Sequence, residues 1–517
     1  MSLILSGGRI ATSGGGLWNS PGSAQTFDFY ISTTGSDANP GTLSQPWAIT
    51  TLSRWTSNGH NTTNYGKLSG MRLGLLPGTY SVGSLINLVD SGAGQGYNPG
   101  LTIPAGTSSA QTYVGSSNSS GFYERGQAII DAQSATNNAS TMGQADDIYP
   151  NEGYVTVDGL VFKNPPVGAH NLIFGGSSDY GHPPHINGVV VKNCEFTSQD
   201  FTNMKVGNNG QCVDFQGVLG GLVQNCYFHN FTGPNWGGSG GPTDTSIHMM
   251  AVQLWYSQGC ILEYNTVVGG LGFMGKEFQN FGNTIRYNYI DTSGWKNAYC
   301  LWDFSNEPSD PAPSAGFSNS IYNNVLVGVS DLLSSDTYTW YNPGSVNFYN
   351  NTSYVVPDTS ILILGFRAKT PAGDFSSYNN IFQLTTSGSY QITNASAPNV
   401  VDYNAYYSSA GNQWGYYSSN TSTPPAGFPT TLSAWQTDLG SAVDAHSVVG
   451  TNPLLLSPGT TGSGASSYKL QVGSPCIGAG RVGGTSGGTS VDMGAWGGTD
   501  VNTGLPIAQI GSTLGPS

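Results

Sequence analysis

The octapeptides VVVKNCEF (189–196) and GLVQNCYF (221–228) decide the fold, because the same phrase recurs through the middle of the chain. Both read as a strand of alternating apolar and polar residues that is interrupted by asparagine. Further copies are VTVDGLVF at 155–162, ILEYNTVV at 261–268, TIRYNYI at 284–290, SIYNNVL at 320–326, VNFYNNTS at 346–353, FSSYNNIF at 375–382 and VVDYNAYY at 400–407. This repetition indicates a repeat architecture.

The spacing of the repeats selects the kind of repeat. The aligned asparagines are Asn193, Asn225, Asn265, Asn288, Asn324, Asn351, Asn380 and Asn404. Their shortest step, from position 265 to position 288, is 23 residues, and the other steps are as long or longer. This pattern is typical of a β-solenoid with one coil per repeat and loops inserted at a turn. An antiparallel sandwich fits poorly, because its turns recur once per hairpin.

Asparagine suits the corner of such a coil. It tolerates the left-handed backbone region, and its amide can bond the amide stacked about 4.8 Å above it. We therefore predict an all-β parallel solenoid of about nine or more coils with little helix.

The two ends of the chain resemble a known family. FYISTTGSDANPGTLSQPWAITTL (29–52) with GMRLGLLPGTYSVG (70–83) is similar to the opening segment of right-handed parallel β-helix proteins of the pectate-lyase-like superfamily. NPLLL at 452–456 and the stretch 468–498 resemble their closing segment. The resemblance implies a right-handed, single-stranded parallel β-helix. The scaffold carries polysaccharide lyases, glycoside hydrolases, phage tailspikes and non-catalytic adhesins, so it leaves the function open.

The predicted organisation has four parts. Residues 1–26 form a Gly/Ser-rich N-terminal arm, 27–150 the opening coils and cap, 151–410 the regular β-helix, and 411–517 an irregular closing region. The first residues lack the basic leader and long apolar run of a signal peptide. We expect either that a leader has been removed or that the chain reaches an extracellular or virion surface by particle assembly. The arm would then serve attachment to a virion, and a homotrimer would be in keeping with tailspike-like relatives.

Charge is scarce. Only 9% of residues are charged, against roughly 25% in an average globular protein, and 15 Lys+Arg against 29 Asp+Glu give a net charge of −14. A solenoid explains the scarcity, because like charges repeated at every coil would repel. The absence of any Lys/Arg run argues against a nucleic-acid partner, and no apolar stretch is long enough to span a bilayer.

Acidic residues supply one set of catalytic candidates. Asp214 lies 11 residues before Asn225, and Glu277 lies 11 before Asn288. If no residue is inserted between them, the two carboxylates share a column two coils apart, about 10 Å, which approaches the wider spacing found in inverting glycosidases. A solvated acidic face explains the same residues.

Basic residues supply a second set. Lys276, Arg286 and Lys296 are close in sequence and suit a carboxylated sugar, because a lyase needs a cation for the uronate carboxylate and a base for its C5 proton. KEFQNFGNTIRYNYI (276–290) resembles the part of some polysaccharide lyases where a Lys base precedes such a strand. The arginine expected on the following coil is replaced by Asp303.

Two insertions offer loops for a cleft, 164–187 and 228–248, the latter with His229 and His248. Aromatic residues in or beside the turns suggest a glycan groove, although packing between coils explains them equally well. The catalytic candidates are Lys276, Glu277, Asp214, Arg286, His248 and Asp303, and the substrate-binding candidates are Trp236, Trp255, Trp295, Trp302 and Lys296.

Cofactors and cysteines are less informative. Ca²⁺ stays open, since carboxylates such as Asp200 and Asp303 would suit it, although no calcium-loop spacing occurs. Cys194 and Cys226 follow asparagine in neighbouring repeats, where a disulfide or a stack of thiols fits, and we favour thiols.

The sequence thus favours a β-helix that binds and cleaves a polysaccharide or cell-surface glycan, as lyase or glycosidase. The alternative is a non-catalytic structural or adhesive fibre.

Overall fold

The chain winds into a parallel β-helix in which each coil contributes one strand to each of three sheets. A computed structural model describes residues 26–53, 62–87, 99–133, 135, 140–144, 153–165, 170–175, 186–198, 210–231, 250–269, 272–276, 280–292, 299–303, 318–328, 331–334, 345–355, 361–363, 375–385, 388–393, 400–409, 412–417, 431–439, 443–459, 464–481 and 491–496. The named strands of the described residues pair in parallel, and each pairs with the strand one coil before or after it. This confirms the predicted solenoid.

Two of the sheets are continuous over the described residues, with twelve strands each. The first sheet consists of Phe29–Ile31, Arg72–Leu75, Thr112–Ser116, Val155–Asp158, Val190–Lys192, Leu222–Gln224, Ile261–Glu263, Thr284–Arg286, Ser318–Tyr322, Ser345–Tyr349, Phe375–Tyr378 and Val400–Asp402. The second consists of Gly78–Ser81, Ala128–Asp131, Val161–Lys163, Glu195–Thr197, Tyr227–His229, Thr266–Val268, Tyr289–Asp291, Val325–Val327, Thr352–Val355, Ile381–Leu384, Ala405–Ser408 and Val448–Val449.

The third sheet follows the second in each coil and has two sections. One section is Pro99–Thr102, Ser140–Gln144, Leu172–Phe174, Val213–Gln216, Val252–Trp255 and Phe273–Lys276, and the other is Tyr299–Asp303, Asp331–Ser334, Ile361–Ile363, Gly388–Thr393 and Asn412–Tyr417. The strands Phe273–Lys276 and Tyr299–Asp303 lie next to each other where the sections meet. A small two-stranded pairing joins Ile186–Asn187 to Val218–Leu219.

Helix is sparse among the described residues, as the glycine-rich, asparagine-rich composition predicts. The α-helices are Thr62–Tyr65, Gly83–Ile86 and Leu432–Leu439, and the 3₁₀ helices are Ile49–Leu52 and Ala465–Tyr468. None of the described helices is long and apolar enough to cross a bilayer.

The core is built by alternation along the strands. In each coil the side chains at alternate positions point inward and stack on their counterparts in the next coil. Phe196 lies between Phe162 and Phe228, with ring centroids 5.2 and 4.8 Å apart and nearly parallel planes. Such stacks run the length of the solenoid, so each coil buries its neighbour's apolar side chains.

The corner between the first and second sheets carries the repeated asparagines, but in two adjacent columns. Asn193 and Asn225 adopt left-handed backbone conformations, with φ of 55° and 53°. They align with Tyr264 and Tyr287 rather than with Asn265 and Asn288, because Glu195, Tyr227, Thr266 and Tyr289 share one register. The alignment from sequence was therefore wrong by one residue at the first two repeats.

The buried column holds the amide ladder. Cys194 and Cys226 occupy it in the early coils, followed by Asn265, Asn288, Asn324, Asn351, Asn380 and Asn404. From Asn265 to Asn404, each side-chain amide donates to the next Oδ1 at 2.9–3.1 Å. The left-handed turn and the ladder thus belong to neighbouring residues.

The closing region packs against the outside of the second sheet. Tyr468, Cys476, Met493 and Ala495 are buried in one apolar cluster with residues of that sheet such as Tyr289 and Ile381. The backbone also bonds the corner, since Asn379 Nδ2 donates to Arg481 O at 2.7 Å and Ala495 N donates to Thr352 Oγ1 at 2.9 Å. These contacts attach the segment to the second sheet and to the corner beside it.

Candidate functional site

The outer face of the third sheet carries a cluster of polar side chains that lies outside the apolar core. In the strand Val213–Gln216, Val213 and Phe215 belong to the apolar core, so Asp214 and Gln216 point to the other side of the sheet. Asp214 and Gln216 are nevertheless 0% and 1% exposed. A buried carboxylate outside the apolar core is costly unless it is hydrogen-bonded.

The register fixes which residues share a column with this carboxylate. Asp214 pairs with Gln253, which pairs with Met274. Gln216 pairs with Trp255, which pairs with Lys276. Asp214 therefore does not share the column expected for Glu277, because Met274 takes that place, and Glu277 itself lies outside the described residues.

Amide donors surround the Asp214 carboxylate. Gln216 Nε2 donates to Oδ2 at 2.6 Å, and Gln253 Nε2 donates to Oδ1 at 3.1 Å. Gln253 is held in turn by Gln211, whose Nε2 donates to Gln253 Oε1 at 3.0 Å. Each carboxylate oxygen thus has a donor from this sheet, which offsets part of its desolvation.

A histidine completes the group. His170 Nε2 lies 3.6 Å from Asp214 Oδ2, and the His170 side chain is almost fully buried. Burial lowers the pKa of His170 to about 3, a shift that a hydrogen bond with Gln211 only partly opposes. The imidazole is therefore neutral at pH 7, so its approach to Asp214 is a polar contact rather than an ion pair.

The predicted basic residues are split between two sheets. Lys276 ends the third-sheet strand Phe273–Lys276, whereas Arg286 ends the first-sheet strand Thr284–Arg286. The Arg286 guanidinium contacts Glu263 Oε2 at 2.7 Å and donates to Tyr322 Oη at 2.9 Å. The structure does not bring Arg286 to the face on which the Lys276 strand lies.

The structure describes only some of the remaining predicted site residues. Trp302 and Asp303 lie on the third-sheet strand Tyr299–Asp303, which neighbours the strand that ends at Lys276, and their side chains are not described. Glu277, His248, Trp236, Trp295 and Lys296 lie outside the described residues. Their roles stay predictions.

Trp255 is in the expected sheet but is not an open platform for a sugar. It is 8% exposed, and its ring packs against Tyr256 with centroids 5.8 Å apart. For this residue, packing within the protein is the better interpretation.

The His229 imidazole, one of the loop histidines noted from sequence, lies on the second sheet. Its Nε2 is 2.8 Å from Glu195 Oε1, and its ring stacks on Tyr227 at 4.0 Å.

The cysteines described with side chains are thiols outside any disulfide: Cys194, Cys212, Cys226, Cys260 and Cys476. This confirms the thiol interpretation for Cys194 and Cys226. Burial raises the pKa of Cys260 and Cys476 to about 12, so they are poor nucleophiles. The described residues contain no group of three or more His, Cys, Asp or Glu side chains that could hold a metal ion.

Sequence reasoning missed His170, Gln211, Gln216 and Gln253. A usable signal was present for Gln216 and Gln253, since each alternates with apolar residues in VDFQ (213–216) or VQLW (252–255), and the register places Gln253 beside Asp214. His170 had no such signal, because it lies before the strand Leu172–Phe174 and outside any alternating pattern.

Comparisons with known proteins assign the chain to no family. No protein-family model matches the chain, and no curated protein matches it significantly. Solved structures with a similar course of the chain include pectate lyase Pel9A, at 16% identity and TM-score 0.40 over 90% of this chain and 95% of that one. A rhamnogalacturonan lyase is 14% identical, with a TM-score of 0.37, over 72% of this chain and 84% of the lyase. The A-module of the Azotobacter vinelandii mannuronan C-5 epimerase AlgE6 is 14% identical, with a TM-score of 0.34, over 68% of this chain and 86% of the module.

The pairing of the three sheets, coil upon coil, decides the architecture. The chain has a parallel β-helix fold. In this β-helix, the outer face of the third sheet holds the Asp214 group and the strand that ends at Lys276.

Proposed function

We propose that this β-helix binds and cleaves a polysaccharide on the outer face of its third sheet. The observation that carries the proposal is the register that aligns Lys276 with Trp255 and Gln216, one column away from the buried Asp214. Perturbed and buried ionisable groups concentrate at functional sites, and the neutral His170 beside Asp214 is such a group.

Different roles are proposed for these residues. Lys276 ends its strand and is the proposed general base or cation of the reaction. Asp214 is 0% exposed, so it is proposed as a positioning residue that fixes the amides of Gln216 and Gln253. Asp303 lies on the following strand of the same sheet and is the proposed second ionisable group.

The test is a panel of neutral and uronate-containing polysaccharides incubated with the purified chain. Absorbance of the unsaturated uronate and formation of reducing ends are followed together. A rise in both indicates a lyase, and reducing ends alone indicate a hydrolase. Lys276→Ala is expected to abolish either signal, whereas Lys192→Ala, a lysine on the first sheet, is the matched control that retains it. Full activity of Lys276→Ala would contradict the placement of the site.

A non-catalytic fibre is the second candidate. The observation in its favour is the unbroken amide ladder from Asn265 to Asn404, which stiffens the rod whatever its chemistry. The burial of Trp255 also removes one of the aromatic residues expected in a groove. Absence of both signals across the panel favours this function.

An extracellular or virion-surface location remains part of the proposal, as do a homotrimer and attachment through the N-terminal arm. Residues 1–25 of that arm lie outside the described residues. Sedimentation of the full chain and of a chain that starts at residue 27 tests whether the arm determines assembly.

A further inference from the structure

The outer face of the first sheet carries a stack of tyrosines that the proposed cleavage site does not use. Tyr322, Tyr349 and Tyr378 end three successive strands and pair in register. Their rings are nearly parallel, with centroids 4.8 Å apart for the first pair and 5.0 Å for the second. Tyr349 and Tyr378 are half-exposed. Tyr322 is buried and its hydroxyl accepts from Arg286, so it backs the stack, and only Tyr349 and Tyr378 present ring edges at the surface.

A polar row runs beside this stack on the same face. Ser320, Asn347 and Ser376 pair in register two residues before the three tyrosines. All three are half-exposed. Within the part of the chain that the structure describes, their side chains make no hydrogen bond, so their donors and acceptors are available to a ligand. Hydroxyls, an amide and tyrosine edges together form a surface about two side chains wide, repeated at each coil.

Charge on the same face is compensated. In the coils that precede the tyrosines, the same column of the sheet holds two ion pairs. Lys192 Nζ lies 3.2 Å from Asp158 Oδ2, and Arg286 Nη2 lies 2.7 Å from Glu263 Oε2. After the tyrosines, Asp402 lies 2.7 Å from His446 Nδ1. The Arg481 guanidinium lies over the Tyr378 ring at 5.3 Å and adds a positive charge that offsets Asp402. A surface with balanced charges gives no electrostatic attraction to a polyanion.

We propose that this surface, formed by Tyr349, Tyr378, Ser320, Asn347 and Ser376, binds an uncharged polysaccharide chain that lies along the solenoid axis. A ligand that repeats along one direction matches a surface that repeats along one direction. Sugar hydroxyls complement the exposed hydroxyls and amide, and sugar C–H groups pack against tyrosine edges. The inference goes beyond the proposed cleavage, because this face and the Lys276 strand belong to different sheets.

Affinity electrophoresis of the full chain tests the inference. The probes are hydroxyethyl cellulose, arabinoxylan, galactomannan and dextran as neutral polymers, with alginate and polygalacturonate as anionic ones. At least one neutral polymer is expected to retard the protein. The double variant Tyr349→Ala/Tyr378→Ala is expected to weaken that retardation about tenfold in Kd. Tyr227→Ala, a half-buried tyrosine on the second sheet, is the matched control and keeps the native affinity.

Further variants separate this site from folding and from the proposed cleavage site. Tyr349→Phe preserves the ring stack and is expected to fold as the native chain does, with a smaller loss of affinity. Lys276→Ala is expected to bind as tightly as the native chain even if it loses cleavage.

Four results would overturn the inference: retention by anionic polymers alone, no retention by any neutral polymer, equal retention of the double variant, or loss of retention in Lys276→Ala only. Concentration-dependent self-association that the tyrosine variants abolish would assign the face to a second copy of the chain, and would also overturn it.

Discussion

Asn288 Nδ2 donates a 2.9 Å hydrogen bond to Asn324 Oδ1, one coil further along the solenoid. The same oxygen also accepts the Asn288 backbone N–H at 3.0 Å. Both residues are fully buried. The corner between the first and second sheets is thereby held by side chains in addition to the strand pairing, and this determines what replacement of one ladder residue costs.

Asn324→Ala is expected to destabilise the chain strongly. The Asn324 amide donates to Asn351 Oδ1, Ile285 O and Tyr322 O, each at 3.0 Å, and its Oδ1 accepts the Asn288 backbone N–H. On its removal the Asn288 N–H and the Ile285 and Tyr322 carbonyls each lose a buried partner. Each such group costs about 1–3 kcal/mol, and a total of about 3 kcal/mol or more is expected. Urea denaturation measures it. Asn347→Ala, at a half-exposed position in the next coil, is the control and should change stability by less than about 0.5 kcal/mol. Similar losses in the two variants would refute the ladder's role.

Cys226→Asn is expected to extend the ladder by one coil. The Cys226 thiol already points to the acceptors an amide would use, Val191 O at 3.8 Å and Gln224 O at 3.5 Å. Its backbone N–H donates to Asn265 Oδ1 at 3.0 Å, as the ladder asparagines do. Stability within about 1 kcal/mol of the native value is therefore expected.

The control for this substitution is Cys212→Asn. Cys212 is buried in the apolar core, where an added amide costs about 2 kcal/mol or more. Thermal melts of the two variants should separate clearly. Equal losses would mean that position 226 does not accept an amide.

The solenoid could be predicted from sequence because its corner chemistry repeats. VNFYNNTS and FSSYNNIF carry the turn and ladder residues in fixed order, so their register is readable without coordinates. Register in the early coils was not readable, since Asn193 and Asn225 form the turn while Cys194 and Cys226 occupy the ladder column. One residue type serves two adjacent positions, and composition alone does not separate them.

The candidate site was less predictable. Asp214 was found from its spacing, but the assumption that no residue is inserted before Glu277 failed, because the turn between the third and first sheets differs in length between coils. His170 approaches Asp214 because neighbouring coils pack together, and a single sequence carries no record of that contact. Arg286 was selected as a rare cation, whereas its partners Glu263 and Tyr322 come from neighbouring strands.

The buried His170 is expected to make the chain acid-sensitive. Burial lowers its pKa from 6.5 to about 3, so the folded chain keeps the imidazole neutral while the unfolded chain takes up a proton below pH 6.5. Its contribution to stability is complete above pH 6.5 and is lost as the pH falls from 6.5 towards 3. His170→Gln should therefore lose less stability than the native chain between pH 7 and pH 4, as measured by urea midpoints at each pH. His446→Gln is the control, because His446 is 60% exposed. An unchanged pH slope in His170→Gln would contradict a neutral buried histidine.

Arg286→Ala is expected to weaken the fold and spare catalysis. The substitution leaves the Glu263 carboxylate, which is 9% exposed, without its cation, although the amide of Gln224 still donates to it at 2.6 Å. Because the Arg286 side chain is itself 32% exposed, the loss should be moderate, about 1–2 kcal/mol. The double variant Glu263→Gln/Arg286→Ala should recover part of that loss, since no unpaired carboxylate remains. Denaturation midpoints measure both effects, and cleavage of any polymer that the native chain degrades is measured in parallel. If Arg286→Ala kept its stability but lost cleavage, Arg286 would belong to the reaction and the third-sheet site would have to be abandoned.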